Sequence, residues 1–226
     1  MATHYASVVL PTAESTQDEA ATRFTGEPLL VVAGHQTTGR GRFDREWVEP
    51  DRALFASLAF EPWWPVGVWG LIPLVAGLAM HDAIDATFSI DVGLRWPNDL
   101  MSGGAKVGGI LVEASGARVV VGCGANLWWA EPIEGAAGIV EGDPGPDVAV
   151  DLAATWTVRF LERMAAGSSL WGRHEYESAS TTLGKEVAYE RGGGVAVGVD
   201  DGGALLIDTA DGVISVHSGE IRVDGS

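Results

Sequence analysis

The sequence predicts an α+β fold, with a mixed-sheet domain over residues 1–178 and a small antiparallel β-barrel over residues 179–226. Three observations point there. Through most of the chain, short strand-type apolar runs alternate with longer helix-type segments. Leu152, Trp156, Phe160 and Met164 recur at helical spacing and form a core-facing stripe. From about Thr182 the texture changes to short period-two alternations broken by acidic and glycine turns. The chain has 226 residues, 46% hydrophobic and 20% charged, which is enough apolar material for a substantial core and excludes a disordered chain.

Each element follows from its local pattern. An extended lead runs into Ser15-Thr16-Gln17, where Ser15 or Thr16 fits an N-cap, and a helix spans Asp18 to Phe24. Leu29 to Ala33 is an uninterrupted apolar run of buried-strand type, and Ala53 to Phe60 is a second strand. Trp63 to Met80 is uncharged and about as long as a membrane span of roughly 18 residues. Pro65, Gly67, Gly70, Pro73 and Gly77 interrupt it and no basic flank follows, so it reads as an entry turn and a core helix over Val68 to Asp85. Gly93 to Trp96 leads into a Pro-Asn-Asp turn. Val107 to Glu113 and Arg118 to Asn126 form a hairpin joined through residues 114–117. A Gly/Pro/acid linker over residues 141–146 precedes a helix starting at Asp147, and the domain boundary falls near residues 176–181. In the barrel, Val195/Val197/Val199, Leu205/Ile207, Val213 to Val216 and Ile221/Val223 are the strands.

Charge and cysteine usage narrow the function classes. A formal net charge of -17 argues against a broad nucleic-acid surface. The single cysteine, Cys123, excludes an internal disulfide or a multi-cysteine metal site and reads as a small buried hydrophobe. The five histidines are scattered without metal-ligand spacing and read as structural. Residues 1–14 lack the pattern of a signal peptide, and the expectation is a cytoplasmic protein without membrane association.

Against that acidity stands one basic loop, Gly39-Arg40-Gly41-Arg42-Phe43-Asp44-Arg45. Arginine forks suit phosphate and carboxylate, and two glycines let the backbone approach a ligand closely. The loop alone says only that an anion is held. Nearby glycine patterns are weaker: Ser102-Gly103-Gly104-Ala105-Lys106 lacks the Walker spacing, and Gly122-Cys123-Gly124-Ala125-Asn126 is half a dinucleotide fingerprint.

In order along the chain come Gly39-Arg40-Gly41-Arg42-x-x-Arg45-x-Trp47, Arg95-Trp96-Pro97-Asn98-Asp99-Leu100, Lys106-Val107-Gly108-Gly109-Ile110-Leu111-Val112-Glu113 and Gly122-x-Gly124-x-Asn126. With these four motifs the chain resembles the catalytic module of biotin protein ligases, from Ser15-Thr16 to the C-terminal barrel. The resemblance implies a biotin/lipoate ligase-type mixed sheet with an SH3-like tail. It also implies a two-step reaction in which biotin and ATP give biotinyl-5'-AMP and pyrophosphate, and biotin then passes to a carrier lysine. Such chemistry needs positive charge around the α-phosphate and shielding of the reactive anhydride.

By the same resemblance, Arg42 and Lys106 are the catalytic groups. Ser15, Thr16, Gln36, Arg40, Arg42, Lys106, Gly108 and Gly109 belong to the biotin site. Gly39, Arg40, Gly41, Arg42, Trp47, Asn98, Asp99, Lys106 and Asn126 belong to the nucleotide site, with Trp47 over adenine and Asp99 placed beside Mg2+. Plainer roles also fit: Trp47 as core, Asn98-Asp99 as a turn, and Arg45 paired to Asp44 or Glu46. Arg52, Arg118 and Arg173 read as solvated.

Two departures from the family pattern stand out. Arg95 occupies a position where many relatives carry lysine. At the C-terminus the family's nucleotide-reaching arginine has no counterpart, because alternation sets Arg222 opposite Ile221 and Val223 and the next residue is Asp224. The implied partner is the biotin carboxyl carrier domain of an acyl-CoA carboxylase. The helix-turn-helix module of regulatory ligases does not precede the motifs, so no DNA partner is expected, and a homodimer is an option the family offers. The competing readings are a lipoate-protein ligase and a non-catalytic biotin- or RNA-binding relative. An octanoyl transferase would need a cysteine nucleophile, for which Cys123 is poorly suited.

Overall fold

The computed structural model describes residues 4–41, 47–217, 219 and 221–223. Its centre is a seven-stranded mixed sheet in the order β1-β2-β3-β7-β6-β5-β4. The strands are β1 Ala6–Leu10, β2 Leu29–Ala33, β3 Arg52–Phe60, β4 Gly93–Arg95, β5 Asp99–Ser102, β6 Ala105–Ser115 and β7 Arg118–Trp128. β1 runs parallel to β2 and every other neighbouring pair is antiparallel.

Both faces of this sheet are covered, and alternation decides what each carries. On β3, Leu54, Ala56, Leu58 and Phe60 enter the main apolar core, while Ala59 joins a smaller cluster with Ala20, Leu29, Val31 and Val120. The main core lies beneath α2 (Ile72–Phe88) and α3 (Val148–Ala166), and α1 (Thr16–Arg23) covers part of the other face. The rest of that second face is the floor of a cavity.

α2 is the helix expected over Val68–Asp85, but it is built differently. A 3-10 turn over Val66–Leu71 precedes it, Pro73 sits in its first turn, and left-handed Ser89 (φ 55) ends it with Ser89 N donating to Asp85 O at 2.8 Å. Together with the 3-10 turn, Val66–Phe88 is long and apolar enough to cross a membrane, yet the residues of α2 from Ile72 to Ile84 are mostly buried in the core. α3 carries the expected stripe: Leu152, Trp156, Phe160 and Met164 are all buried. The indole of Trp156 donates to Ala76 O at 3.1 Å and Arg163 grips Asp82 at 2.6 Å, which locks α3 to α2.

After α4 (Arg173–Ala179) the chain enters a five-stranded antiparallel sheet, β11-β10-β9-β8-β12, of SH3-like type. Its strands are β8 Glu186–Tyr189, β9 Gly192–Val199, β10 Leu205–Thr209, β11 Gly212–Val216 and β12 Arg222–Val223. Val187, Ala196, Val199, Leu205 and Ile207 merge into the main core, so the small sheet packs onto the large one. Trp96 fastens the two together: its backbone N donates to Thr182 Oγ1 and its indole to Gly203 O, both at 2.9 Å.

Two local expectations need correction. The β6–β7 hairpin turns at Gly116 (φ +63) and Ala117 alone, with the strands running on to Ser115 and from Arg118, because glycine supplies the left-handed turn residue. Nor is Arg118 a solvated side chain, since its Nη1 donates to Ala21 O at 2.7 Å and ties β7 to α1. Arg52 and Arg173 are partly exposed but engaged, with Asp143 at 2.8 Å and Asp201 at 2.9 Å.

Candidate active site

The cavity has a volume of about 460 Å³ and opens over β3, β7, β6, β5 and β4. Its floor is unusually bare, and the pairing register explains why. Phe55, Gly124, Gly109, Asp99 and Arg95 are successive cross-strand partners, and all five line the cavity. A second row, Ser57, Gly122 and Leu111, lies two residues further along the strands. Glycine at 109, 122 and 124 removes the side chains that would otherwise fill the space above the sheet.

A β-bulge completes the arrangement. Leu100 pairs with Gly108 but Met101 with Lys106, which leaves Val107 as the extra residue. Simple alternation would put Lys106 and Gly109 on opposite faces; the bulge brings both to the cavity while Val107 enters the core. Lys106 Nζ bonds Asp99 Oδ1 at 2.7 Å and lies 5.8 Å from the Trp47 ring centroid. The same lysine is held through its backbone by the 133–137 segment, with Lys106 N donating to Gly135 O at 2.9 Å and Ala137 N to Lys106 O at 3.0 Å.

One end of the cavity is a largely buried relay of polar groups. Gln36 Oε1 accepts from Thr16 N at 2.7 Å and Thr16 Oγ1 at 2.9 Å. Thr16 Oγ1 lies 2.9 Å from Ser57 Oγ, which donates to Gln17 Oε1 at 3.0 Å. Gln17 Nε2 in turn donates to Val120 O at 3.2 Å. Ser15 occupies the N-cap position of α1 but makes no side-chain capping bond; it is buried and lines the cavity instead.

The other predicted residues divide. Arg40 and Gly41 line the cavity, and Arg40 forms a two-pronged pair with Asp18 of α1, at 2.7 and 2.9 Å. Gly39 packs instead: a Cβ there would sit 3.2 Å from both Gln36 Nε2 and Trp47 Cβ. Trp47 lies over Gly124, where a Cβ would meet its ring at 3.2 Å. Asn98 braces the site, its Nδ2 donating to Ile110 O at 2.9 Å. Asn126 Nδ2 donates to Ala137 O at 3.2 Å, which leaves its Oδ1 aimed elsewhere. Arg42 and Arg45, like Asp224, lie outside the described residues.

Gly108 departs from expectation. It is on the core face, where a Cβ would strike Leu100 Cδ1 and Gly124 O, each at 2.9 Å, so it serves packing and does not touch the cavity. Gln17, Ser57, Trp129 and Ile133 also line the cavity and were not foreseen. Gln17 and Ser57 carry no motif that would mark them; Trp129 follows the Gly122-x-Gly124-x-Asn126 strand directly and was findable from that position. Among the described residues no group of three or more His, Cys, Asp or Glu side chains converges as a metal site. His81 Nδ1 lies 2.7 Å from Val92 O and His35 pairs with Glu49 at 2.6 Å, in keeping with structural roles.

Burial sets the unusual protonation states. The Cys123 thiol is pushed far up by desolvation alone. The Tyr176 hydroxyl is also pushed up, first by burial and then by the charge of Asp99. Neither group ionises near neutral pH, so Cys123 is no nucleophile. Three buried polar atoms find no partner among the described residues and line this one cavity: Trp47 Nε1, Arg95 Nε and Asn126 Oδ1. Buried polar atoms are almost always bonded, so this concentration marks a surface shaped for a polar ligand.

Comparison with known proteins agrees with this geometry. Residues 7–126 match the model of the biotin/lipoate A/B protein ligase family, and residues 182–223 match that of the biotin protein ligase C-terminal domain. A biotin--[acetyl-CoA-carboxylase] ligase of Mycobacterium tuberculosis is 31% identical over 233 residues, spanning 95% of this chain and 87% of the relative. The bifunctional ligase/repressor BirA of Escherichia coli is 28% identical, spanning 93% of this chain and 71% of its own length. The structure of a biotin protein ligase from Aquifex aeolicus in complex with biotin and ATP superposes with a TM-score of 0.83 at 27% identity, covering 98% of this chain and 99% of that one.

Proposed function

This chain belongs to the biotin/lipoate A/B protein ligase family, and from that premise we propose that it is an ATP-dependent biotin–[carboxyl-carrier] ligase. One observation carries the choice of acid. One end of the cavity is a relay of hydroxyl and amide groups, with Thr16, Gln17 and Ser57 buried, Gln36 half-buried and Ser15 beside them. A cyclic urea offers N–H donors and a carbonyl acceptor to such a relay. The apolar dithiolane of lipoate offers those groups nothing to bond, whereas the ureido N–H and C=O groups can join the relay.

The mechanism follows from the floor. With its urea among Thr16 and Gln36, biotin lies along the glycine-bared strands and brings its carboxylate toward Lys106. Trp47, above Gly124, takes the adenine, and Asn126 Oδ1 and Trp47 Nε1 gain the polar partners they lack. Lys106 then lies between carboxylate and α-phosphate, where its charge offsets the repulsion of one anion attacking another. A carboxylate oxygen bonds to the α-phosphorus and pyrophosphate leaves. A carrier lysine amine next attacks the acyl carbon and AMP departs. Arg40 and Gly41, which line the cavity, shield the anhydride from water, a role the sequence motif also gives to Arg42. Asp99 would be the carboxylate to hold a magnesium ion carried by ATP, and the ion would offset the phosphate charge, in keeping with an ion that relies on substrate oxygens and one or two carboxylates.

On this reading residues 1–178 carry the chemistry and residues 179–226 form the appended unit. The partner is the biotin carboxyl carrier domain of an acyl-CoA carboxylase, the setting is the cytoplasm, and self-association through the large sheet is checked by sedimentation. Biotin-dependent ATP–pyrophosphate exchange tests the assignment, with lipoate and octanoate run in parallel. Exchange with biotin alone is the expected result. Exchange with lipoate alone would move the chain to the sister activity, and biotin binding without exchange would make it a non-catalytic binder.

A further inference from the structure

Arg95 ends the cavity-facing row that crosses β3, β7, β6, β5 and β4. Neighbouring strands lie about 4.8 Å apart, so its Cα stands roughly 10 Å from Gly109, two strands away. Lys106 Nζ lies over Gly109, 3.4 Å from where a Cβ would be. Arg95 therefore sits on the far side of Lys106 from Trp47, within the same cavity.

Arg95 shares a buried, unpartnered Nε with Arg118, but Arg118 donates through Nη1 to Ala21 O whereas Arg95 faces the cavity. Among the described residues no carboxylate pairs with Arg95, in a chain of net charge -17. Arg23, Arg40, Arg52, Arg163 and Arg173 each grip an acidic side chain. The nearest candidate, its register partner Asp99, is engaged by Lys106. The backbone on either side is fixed, with Thr181 N donating to Leu94 O at 2.8 Å and Trp96 N to Thr182 Oγ1 at 2.9 Å. A guanidinium carried on a fixed stretch of backbone, with an unfilled donor and facing a ligand cavity, calls for an anion bearing several oxygens.

We infer that Arg95 receives the β- and γ-phosphates of ATP and holds the pyrophosphate as it leaves. The inference rests on the adenylation proposed above. In that step the bond from the α-phosphorus to the oxygen bridging toward the β-phosphorus breaks, and its electron pair and charge go to pyrophosphate. The order along the row matches the order of the nucleotide: adenine by Trp47, α-phosphate by Lys106, leaving group by Arg95.

The test compares wild type with Arg95→Ala and Arg95→Lys in three assays: ATP–pyrophosphate exchange, transfer to a carrier domain from separately synthesised biotinyl-5'-AMP, and biotin binding by calorimetry. Arg95→Ala should raise the KM for both ATP and pyrophosphate about tenfold or more, as loss of a charged phosphate contact requires. Biotin affinity and transfer from the preformed adenylate should stay near wild type, and Arg95→Lys should recover part of the loss. Should the alanine variant not fold, an intermediate rise in the pyrophosphate KM of Arg95→Lys carries the same comparison. An unchanged pyrophosphate KM in the alanine variant overturns the assignment. So does an equal loss in transfer from preformed adenylate, which would give Arg95 to the carrier. A wild type inert in exchange with biotin removes the adenylation reading itself, whereas an active wild type with an indifferent Arg95→Ala removes Arg95 alone.

Discussion

Lys106 is the side chain on which the proposed chemistry turns, and in the free protein it is neutralised by Asp99 at 2.7 Å. Lys106→Ala should lower biotin-dependent exchange by about a hundredfold or more, the scale of losing one positioned charge. Stability should change by less than about 1 kcal/mol, because the pair is partly exposed to solvent. Circular dichroism alongside the exchange assay checks both. Cys123 gives a pH prediction. Burial raises its folded value above the unfolded one, so the native state favours the neutral thiol. Its contribution is complete below about pH 8.5 and is lost as pH rises beyond it, at about 1.4 kcal/mol per unit. Tyr176 adds a loss of the same sign above about pH 10. Urea unfolding at pH 8, 9 and 10 should show the first decline in wild type and not in Cys123→Ala. Lys106 and Trp47 were legible in the sequence because their motifs are local. The relay of Thr16, Gln17 and Ser57 was legible only in part, because Ser57 sits in a plain apolar strand and gains its meaning from a helix 40 positions away.

The strand β6 shows what pattern reading can and cannot deliver. Its existence and the hairpin with β7 follow from alternation, but the bulge at Val107 does not, and the bulge decides which glycine faces the ligand. Gly108→Ala and Gly109→Ala should therefore part company. The first places a methyl 2.9 Å from Leu100 Cδ1 and Gly124 O and should cost about 1–3 kcal/mol of stability. The second meets only ordinary contacts at 3.4–3.6 Å, so the fold should tolerate it while the KM for biotin or ATP rises. Thermal melts and exchange kinetics on the two variants separate the roles. In the helical layer, Trp156 is fully buried and bonds Ala76 O, so Trp156→Ala should cost about 3–5 kcal/mol in urea unfolding. That helix was readable to its stripe. The 3-10 entry to α2 was not, since Pro65 and two glycines signal a break without specifying its geometry.

The two sheets form one thermodynamic body, because Val187, Val199, Leu205 and Ile207 share the main core with α2 and α3. A single calorimetric transition is expected, and a separate low-temperature transition for residues 182–223 would contradict it. Thr182 is fully buried and accepts from Trp96 N, so Thr182→Val leaves that donor unpaired and should cost about 1–3 kcal/mol. The melt should shift as a whole without splitting. At this level the sequence was legible in its change of texture after Thr182. The packing of one sheet on the other was not, since nothing local marks Trp96 as the residue that reaches Gly203, 107 positions away.

The cavity walls come from segments far apart in the chain: Gln17 bonds Val120 across 103 positions, and Ile221, just before β12, adds to the lining. A folding chain must close these long loops before any ligand contact rewards it, which places assembly of the site late on the route to the native state. Biotin and ATP thus act as brakes on unfolding and do nothing to hasten folding. In stopped-flow experiments saturating ligand should slow the unfolding limb and leave the refolding limb where it was.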